Sequence, residues 1–310
     1  MSWLSPTPVG RPKLVIIDMR RDLIILVIVL MTSVLYSCNR GHRGEDKGGN
    51  KVVHLSLDDV EVFGDLIRHR QDYDSLFQHP FMAFLQELHH EHGMRITLYT
   101  YEYFGDSYSR IEDMPLKYKN DFRKASDWLR IGFHSKRPDF DSLVTVSEIE
   151  QSYNNVNSSI ARFADSSMVA STLRLHYFFA PDSILNALTG VRTLLCADDS
   201  NGVSYNLTAS ESRTVGNGGT IVKKDIAYRR TDLRIDDNLG VSEDLRRLDN
   251  VDTLVVFTHE WKLWHKPETD STRSLFGKFK IRASEIINRK LFKETVKRLN
   301  ESGYDFSFLE

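Results

Sequence analysis

Short β-rich runs alternate with longer stretches of helical spacing along this chain, and that alternation limits the folds open to it. The runs are 52–59 (VVHLSLDD), 95–103 (RITLYTYEY), 129–135 (LRIGFHS), 171–179 (STLRLHYFF), 192–199 (RTLLCADD) and 252–261 (DTLVVFTHEW). Between them, 75–92, 116–128, 147–163 and 182–188 carry apolar residues at helical spacing, and a helix over 283–301 closes the chain. Strands separated by helices pair in parallel through right-handed crossovers. The stretch 202–237 breaks the rhythm. Clustered Gly, Ser and Asn give way there to IVKKDIAYRRTDLRID, read as a hairpin plus one barrel strand. The expectation is an α/β fold, an incomplete or distorted (β/α) barrel of about seven strands rather than a regular eightfold one.

Nearly every run is apolar along its body and polar at its end. Asp58 and Asp59 end the first run, Glu102 the second and His134 the third. Arg174 and His176 lie late in the fourth, Asp198 and Asp199 end the fifth, and His259 and Glu260 stand near the end of the last. In a parallel barrel the carboxyl ends of all strands meet on one face, so these side chains are expected to converge there.

The start of the chain points to a compartment. Arg20 and Arg21 precede an apolar stretch, Leu23 to Leu35, of 13 residues. A bilayer-spanning helix needs roughly 20. A charged head, a short apolar centre and small residues before a cleavage point describe a signal peptide over 1–37, with 1–18 read as a mis-called start before Met19. The Leu-Tyr-Ser-Cys run at 35–38 resembles the lipobox of bacterial lipoproteins, which makes Cys38 the lipidated residue and the bacterial cell envelope the location. A single acylated cysteine tethers without spanning. Polar, Gly-rich 38–51 is the expected flexible tether, and 52–310 the globular domain.

Cys196 is the only other cysteine, so no disulfide forms within the domain and no cysteine-built metal site is available. It lies in the apolar run VRTLLCA and reads as a packed thiol. The formal net charge is −2 with no basic stripe, which argues against nucleic acid as a partner.

HLSLDDV, GFHSK, LRLHYFFAP and VVFTHEW occur at strand ends in the order of the motifs of the polysaccharide deacetylases, and the chain resembles that family on those residues. The resemblance implies Asp58 as general base, Asp59 and His134 as ligands of a divalent metal, usually zinc, Arg174 as the holder of the catalytic aspartate, and His259 as general acid. The family places a second histidine four residues after the first, and here that position is Pro138. His176 and Asp141 are the expected sources of the missing third ligand. Glu102, Asp199, Glu260 and Trp261 are expected at the substrate.

The implied reaction is metal-dependent removal of an acyl group, an acetyl above all, from a polysaccharide or other glycan. Two alternatives stay open from the residues alone. One is a metal-independent glycosidase using Asp58 or Asp59 with Glu260 as paired carboxylates. The other is a non-catalytic glycan-binding lipoprotein on the same scaffold, motivated by Pro138.

Overall fold

A computed structural model describes residues 51–105, 109–139, 145–198, 204–265 and 275–310. All belong to one compact unit, Gly49–Glu310. Cys38, Asp141, Asp199 and the apolar stretch 23–35 lie outside the described residues.

The parallel strands are β1 (Lys51–Val60), β2 (Ile96–Tyr101), β3 (Leu129–Ser135), β4 (Thr172–Leu173), β5 (Thr193–Leu195), β6 (Ile226–Arg229), β7 (Leu233–Arg234), β8 (Thr253–His259) and β9 (Tyr304–Phe306). One sheet runs β7-β8-β1-β2-β3, with β9 on the lower part of β1, and every pairing in it is parallel. The second runs β4-β5-β6 in parallel, and an antiparallel arm, Ile221–Lys223, closes on β6. The two sheets meet at both margins. Ile131 of β3 bridges Val169 just before β4, and the single extended run 226–234 pairs first with β5 and then, through β7, with β8. Counting that run once, seven parallel strands follow one another in a barrel-like course, an α/β arrangement distorted from the eightfold barrel.

Helices cover the outside: α1 (Val62–Arg68), α2 (Pro80–His92), α3 (Lys119–Lys124), α4 (Val146–Phe163), α5 (Asp182–Ala187), α6 (Ala209–Gly216), α7 (Val241–Arg247), α8 (Glu260–Leu263) and α9 (Leu275–Glu301). Their ends follow local chemistry. Pro80 opens α2 with His79 as its cap, and Gly93 closes it at φ +66, a backbone angle glycine adopts without steric cost. Thr145 and Glu148 form a capping box at α4. Among the described residues no helix is long and apolar enough to cross a membrane.

Side chains alternate along β1. Val53, Leu55 and Leu57 occupy one face and His54, Ser56 and Asp58 the other, the face toward Arg174 and Tyr99. Outside, Phe63, Phe122 and Phe163 from α1, α3 and α4 meet with ring centroids 5.2–6.4 Å apart and tie three helices together. Inside, Gly132 leaves room for the Tyr99 ring, since a Cβ there would stand 2.8 Å from it.

Three expectations change. The fourth run, expected over 171–179, is a strand only at Thr172–Leu173. Tyr177 and Phe178 both take positive φ, 55° and 52°, so no ladder continues through them. The stretch 202–237 is not wholly β: α6 lies inside it, opened by a Thr208–Glu211 capping box. The closing helix starts at Leu275, eight residues before the expected 283.

Candidate metal centre and acid–base pair

The end of β1 departs from simple alternation. Its pairing with β2 shifts between Leu57 and Val60, where three steps on β1 oppose two on β2, and Asp59 takes φ +56. Such a bulge re-aims a side chain. Asp58 keeps the inward face, and Asp59 turns to the mouth, where it meets His134 and His176 instead of facing away.

Three ligand atoms converge there. His134 Nε2 lies 3.3 Å from Asp59 Oδ1, His176 Nδ1 lies 3.4 Å from the same oxygen, and the two ring nitrogens are 3.1 Å apart. The far side of each ring fixes its proton. His134 Nδ1 is 2.6 Å from the carbonyl oxygen of Arg174, and His176 Nε2 is 3.0 Å from that of Pro138. A carbonyl only accepts, so each of those nitrogens donates, and the neutral ring leaves its lone pair facing the centre. Two nitrogen lone pairs and a carboxylate oxygen held this close repel unless something positive stands between them. The edge of a tetrahedron around zinc, with bonds of about 2.0–2.1 Å, is about 3.3–3.4 Å. The donor set fits a divalent cation. Among the described residues these three are the group of imidazoles and carboxylates close enough to hold a metal ion.

The carboxylate is prepared for that role. Burial alone would raise the Asp59 carboxyl, but its close polar contacts with His134, His176 and Tyr101 hold it far below the usual carboxylate range. Tyr101 donates its hydroxyl to Asp59 Oδ1, and burial beside that charge pushes the phenol well above its ordinary value. Trp261 Nε1 donates to Asp59 Oδ2 at 3.1 Å.

Asp58 and Arg174 form a second, wholly buried layer. Arg174 Nη1 stands 3.3 and 3.4 Å from the two Asp58 oxygens, Nη2 donates to Thr231 Oγ1 at 3.0 Å, and the guanidinium lies 4.0 Å above the Phe257 ring. His259 makes up the third part. Its Nδ1 is 2.5 Å from Asp236 Oδ2, while Nε2 points toward Asp59 Oδ2 at 3.8 Å. Burial works against the imidazolium, yet the hydrogen bond and charge of Asp236, with Asp58 and Asp59 behind it, raise His259 above its ordinary value. Burial also works against the Asp236 carboxylate, and the hydrogen bond and charge of His259 with the bonds from Thr258 and Arg234 keep it well below the carboxylate range.

Asp58, Asp59, His134, Arg174, His176, His259 and Trp261 are thus gathered at the carboxyl ends of the strands. A cleft of about 360 Å³ opens over them, lined by Asp59, Tyr101, His176, Tyr177 and Trp261 among others. Two expected substrate contacts have other partners. Glu102 accepts from Arg110 Nη2 at 3.0 Å and Asn155 Nδ2 at 2.9 Å, away from the cleft. Glu260 borders the cleft, but one carboxylate oxygen accepts the backbone N–H of both Glu61 and Val62 and so anchors the start of α1. Asp236 and Tyr101 were not foreseen. Asp236 carried the same signal as the others, a carboxylate just past the β-rich run 226–234. Burial pushes the Cys196 thiol up to about 12, which leaves it inert.

No protein-family model matches the chain, and no curated protein matches it. Among solved structures it is similar to the 4-alpha-glucanotransferase of Thermococcus litoralis at 12% identity and a TM-score of 0.50, covering 84% of this chain and 39% of that one. It therefore spans well under half the length of that enzyme. Looser likenesses, too low in score to weigh, are to the peptidoglycan deacetylase PdaC of Bacillus subtilis (13% identity, TM-score 0.41, 83% and 87% covered) and to the Xyl-CE4 domain of a xylanase from the hindgut metagenome of Trinervitermes trinervoides (8% identity, TM-score 0.44, 84% and 88% covered). At these identities the likeness is one of fold: an α/β chain with a parallel, barrel-like sheet.

Proposed function

We propose that this chain is a divalent-cation-dependent hydrolase that removes acetyl or related acyl groups from a polysaccharide, with zinc as the cation. One observation carries the reading: Asp59 Oδ1, His134 Nε2 and His176 Nδ1 face one another at 3.1–3.4 Å with their outer atoms already bonded. Zinc held by these three would supply Lewis-acid polarisation of the acyl carbonyl and acidify water.

The chain's own groups supply the rest. Asp58, fixed by a guanidinium that stacking and Thr231 prevent from swinging away, is the acceptor for the proton of the attacking water. His259, held by Asp236 through Nδ1, carries its second proton on Nε2 toward the cleft and delivers it to the departing sugar oxygen or nitrogen. Trp261 and Tyr177, 51% and 62% exposed at the rim, offer ring faces to a sugar. Glu260 has its carboxylate engaged by two backbone N–H groups, which makes it a poor glycosidase acid or nucleophile. Export, lipidation at Cys38 and anchoring at a bacterial envelope membrane belong to the same proposal and rest on the Leu-Tyr-Ser-Cys run.

The test is acetate release from acetylated xylan and acetylated chitin oligomers by the purified full chain, before chelation, after it, and after zinc is restored. Release that is lost and recovered in step with about one zinc per chain supports the reading. Equal release in strong chelator overturns it.

A further inference from the structure

The last helix is apolar on two sides. Asn288, Phe292, Thr295, Val296 and Leu299 of α9 are buried against the domain. Upstream, no residue from Phe276 to Ile287 is buried, and Phe276, Phe279, Ile286 and Ile287 are 78%, 72%, 68% and 48% exposed. At 3.6 residues per turn these four fall within an arc of about 100°, roughly opposite the buried face. Lys280 and Arg282 flank the stripe and Lys290 follows it one turn beyond Ile286, all three exposed, and among the described residues none of them is in an ion pair. In the packed half Lys293 lies 2.7 Å from Glu87 and 2.9 Å from Glu91.

The helix leaves the body at the level of the cleft. Asn288 bonds Asp237, the neighbour of Asp236, through both its Oδ1 and Nδ2, and Arg289 Nε donates to the Leu263 carbonyl at 2.7 Å. The 13 residues before Asn288 give about 20 Å of helix beyond that point.

We propose that residues 276–290 are an interfacial helix that lies on an anionic lipid surface, the aromatic and aliphatic stripe entering the acyl boundary and the basic border meeting the headgroups. A stripe of large apolar side chains edged by unpaired cations is the pattern of helices that lie in the plane of a membrane. A two-fold pairing of two copies through the same stripe would set each basic border against a like-charged one. The contact is separate from any lipid on Cys38 and independent of the chemistry in the cleft. It would hold the cleft mouth near the bilayer, within reach of glycan close to the membrane surface.

The readout is local, because the apolar stretch 23–35 can carry the full chain to any vesicle. Amide hydrogen exchange across 276–287 is compared for the full chain alone, with phosphatidylcholine vesicles, and with vesicles of phosphatidylcholine and phosphatidylglycerol. Exchange should slow by roughly fivefold or more on the anionic vesicles and stay unchanged on the neutral ones. Lys280→Glu, Arg282→Glu and Lys290→Glu together should remove the slowing without lowering the melting temperature. Three results overturn the proposal. One is exchange unaffected by anionic vesicles. Another is protection that grows with protein concentration and no lipid, which assigns the stripe to a second copy. The third is protection already complete in dilute, lipid-free protein, which assigns it to another part of this chain.

Discussion

The molecule carries aspartate and histidine in close contact at two places, and only one of them looks like a site. At the cleft, Asp59 meets His134 and His176; under α1, Asp65 meets His79 with Nε2 2.9 Å from Oδ2. Both pairs hold their carboxylate below its ordinary range, against burial that would raise it. The difference lies on the other ring nitrogen. His79 Nδ1 accepts the Phe81 N–H, so its Nε2 donates to Asp65 and every polar atom of the ring has a partner. His134 and His176 give their outer protons to carbonyls and turn bare lone pairs toward each other. A satisfied pair is a strut, and an unsatisfied one calls for a cation.

That contrast is broken most directly by exchanging the roles in a zinc titration. His134→Ala or His176→Ala should lower zinc affinity by at least about 100-fold, more than loss of an outer partner costs, with little change in melting temperature. His79→Ala should leave zinc binding intact and destabilise the fold by about 1–3 kcal/mol, because Asp65 loses its buried hydrogen-bond partner and keeps only Arg68. If His79→Ala removed zinc, or His134→Ala left it, the distinction between strut and site would fail.

A third histidine sharpens the comparison, because His259 is held by a carboxylate where His134 and His176 are held by carbonyls. An acidic partner stabilises the imidazolium and keeps a proton on Nε2. Asp236→Asn should therefore cut turnover by about 10²–10⁴-fold while zinc stoichiometry stays the same. Steady-state rates beside metal analysis of the same sample give both numbers, and loss of the metal would place Asp236 with the ligands instead.

Much of this site was legible in the sequence because the carboxyl-end rule for parallel strands depends on topology alone. Asp58, Asp59, His134, Arg174 and His259 could be placed at one mouth without knowing a single contact. What could not be read depends on backbone detail. The bulge that turns Asp59 to the mouth has no residue signature, since Asp59 adopts positive φ without a glycine. The fourth strand was overdrawn because LHYFF is strongly β-prone, yet Tyr177 and Phe178 break it, and that break brings His176 to the centre. Pro138 stands where a second histidine was sought, but its carbonyl orients His176, a role that no side-chain motif can announce. Helix α6 was missed although TASE at 208–211 is a plain capping box, outweighed in the reading by the Gly and Asn around it.

Below the site, His54 is a buried imidazole with a smaller and different signature. Burial, with the nearby Arg174 charge, pushes its pKa from 6.5 down to about 3. Tyr99 donates its hydroxyl to the Thr172 carbonyl, so its oxygen is free to accept from His54 Nε2, and the neutral ring fits. The sign follows from proton counts. Between pH 6.5 and 3 the unfolded chain binds the proton that the folded chain refuses, so this contribution is complete above pH 6.5 and lost as pH falls toward 3. From pH 6.5 to 5 it should remove about 2 kcal/mol. Unfolding in denaturant at several pH values should show a steeper fall for the native chain than for His54→Gln, and parallel curves would mean that the ring is charged in the fold.

The smallest expected effect lies at the rim, where Trp261 can serve the metal centre, the sugar or both. Its Nε1 donates to Asp59 Oδ2, which ties it to the ligand set, while half of its surface remains exposed over the cleft. Trp261→Phe keeps a ring face and removes only the hydrogen bond; Trp261→Ala removes both. If the ring is a sugar platform, Phe should bind glycan nearly as well as Trp, and Ala should raise KM by about three- to tenfold, the size of one aromatic contact. If the hydrogen bond to Asp59 matters more, Phe and Ala should weaken zinc binding alike and leave KM for zinc-saturated protein close to the native value. The two substitutions thus assign a side chain that touches both the ligand set and the open cleft.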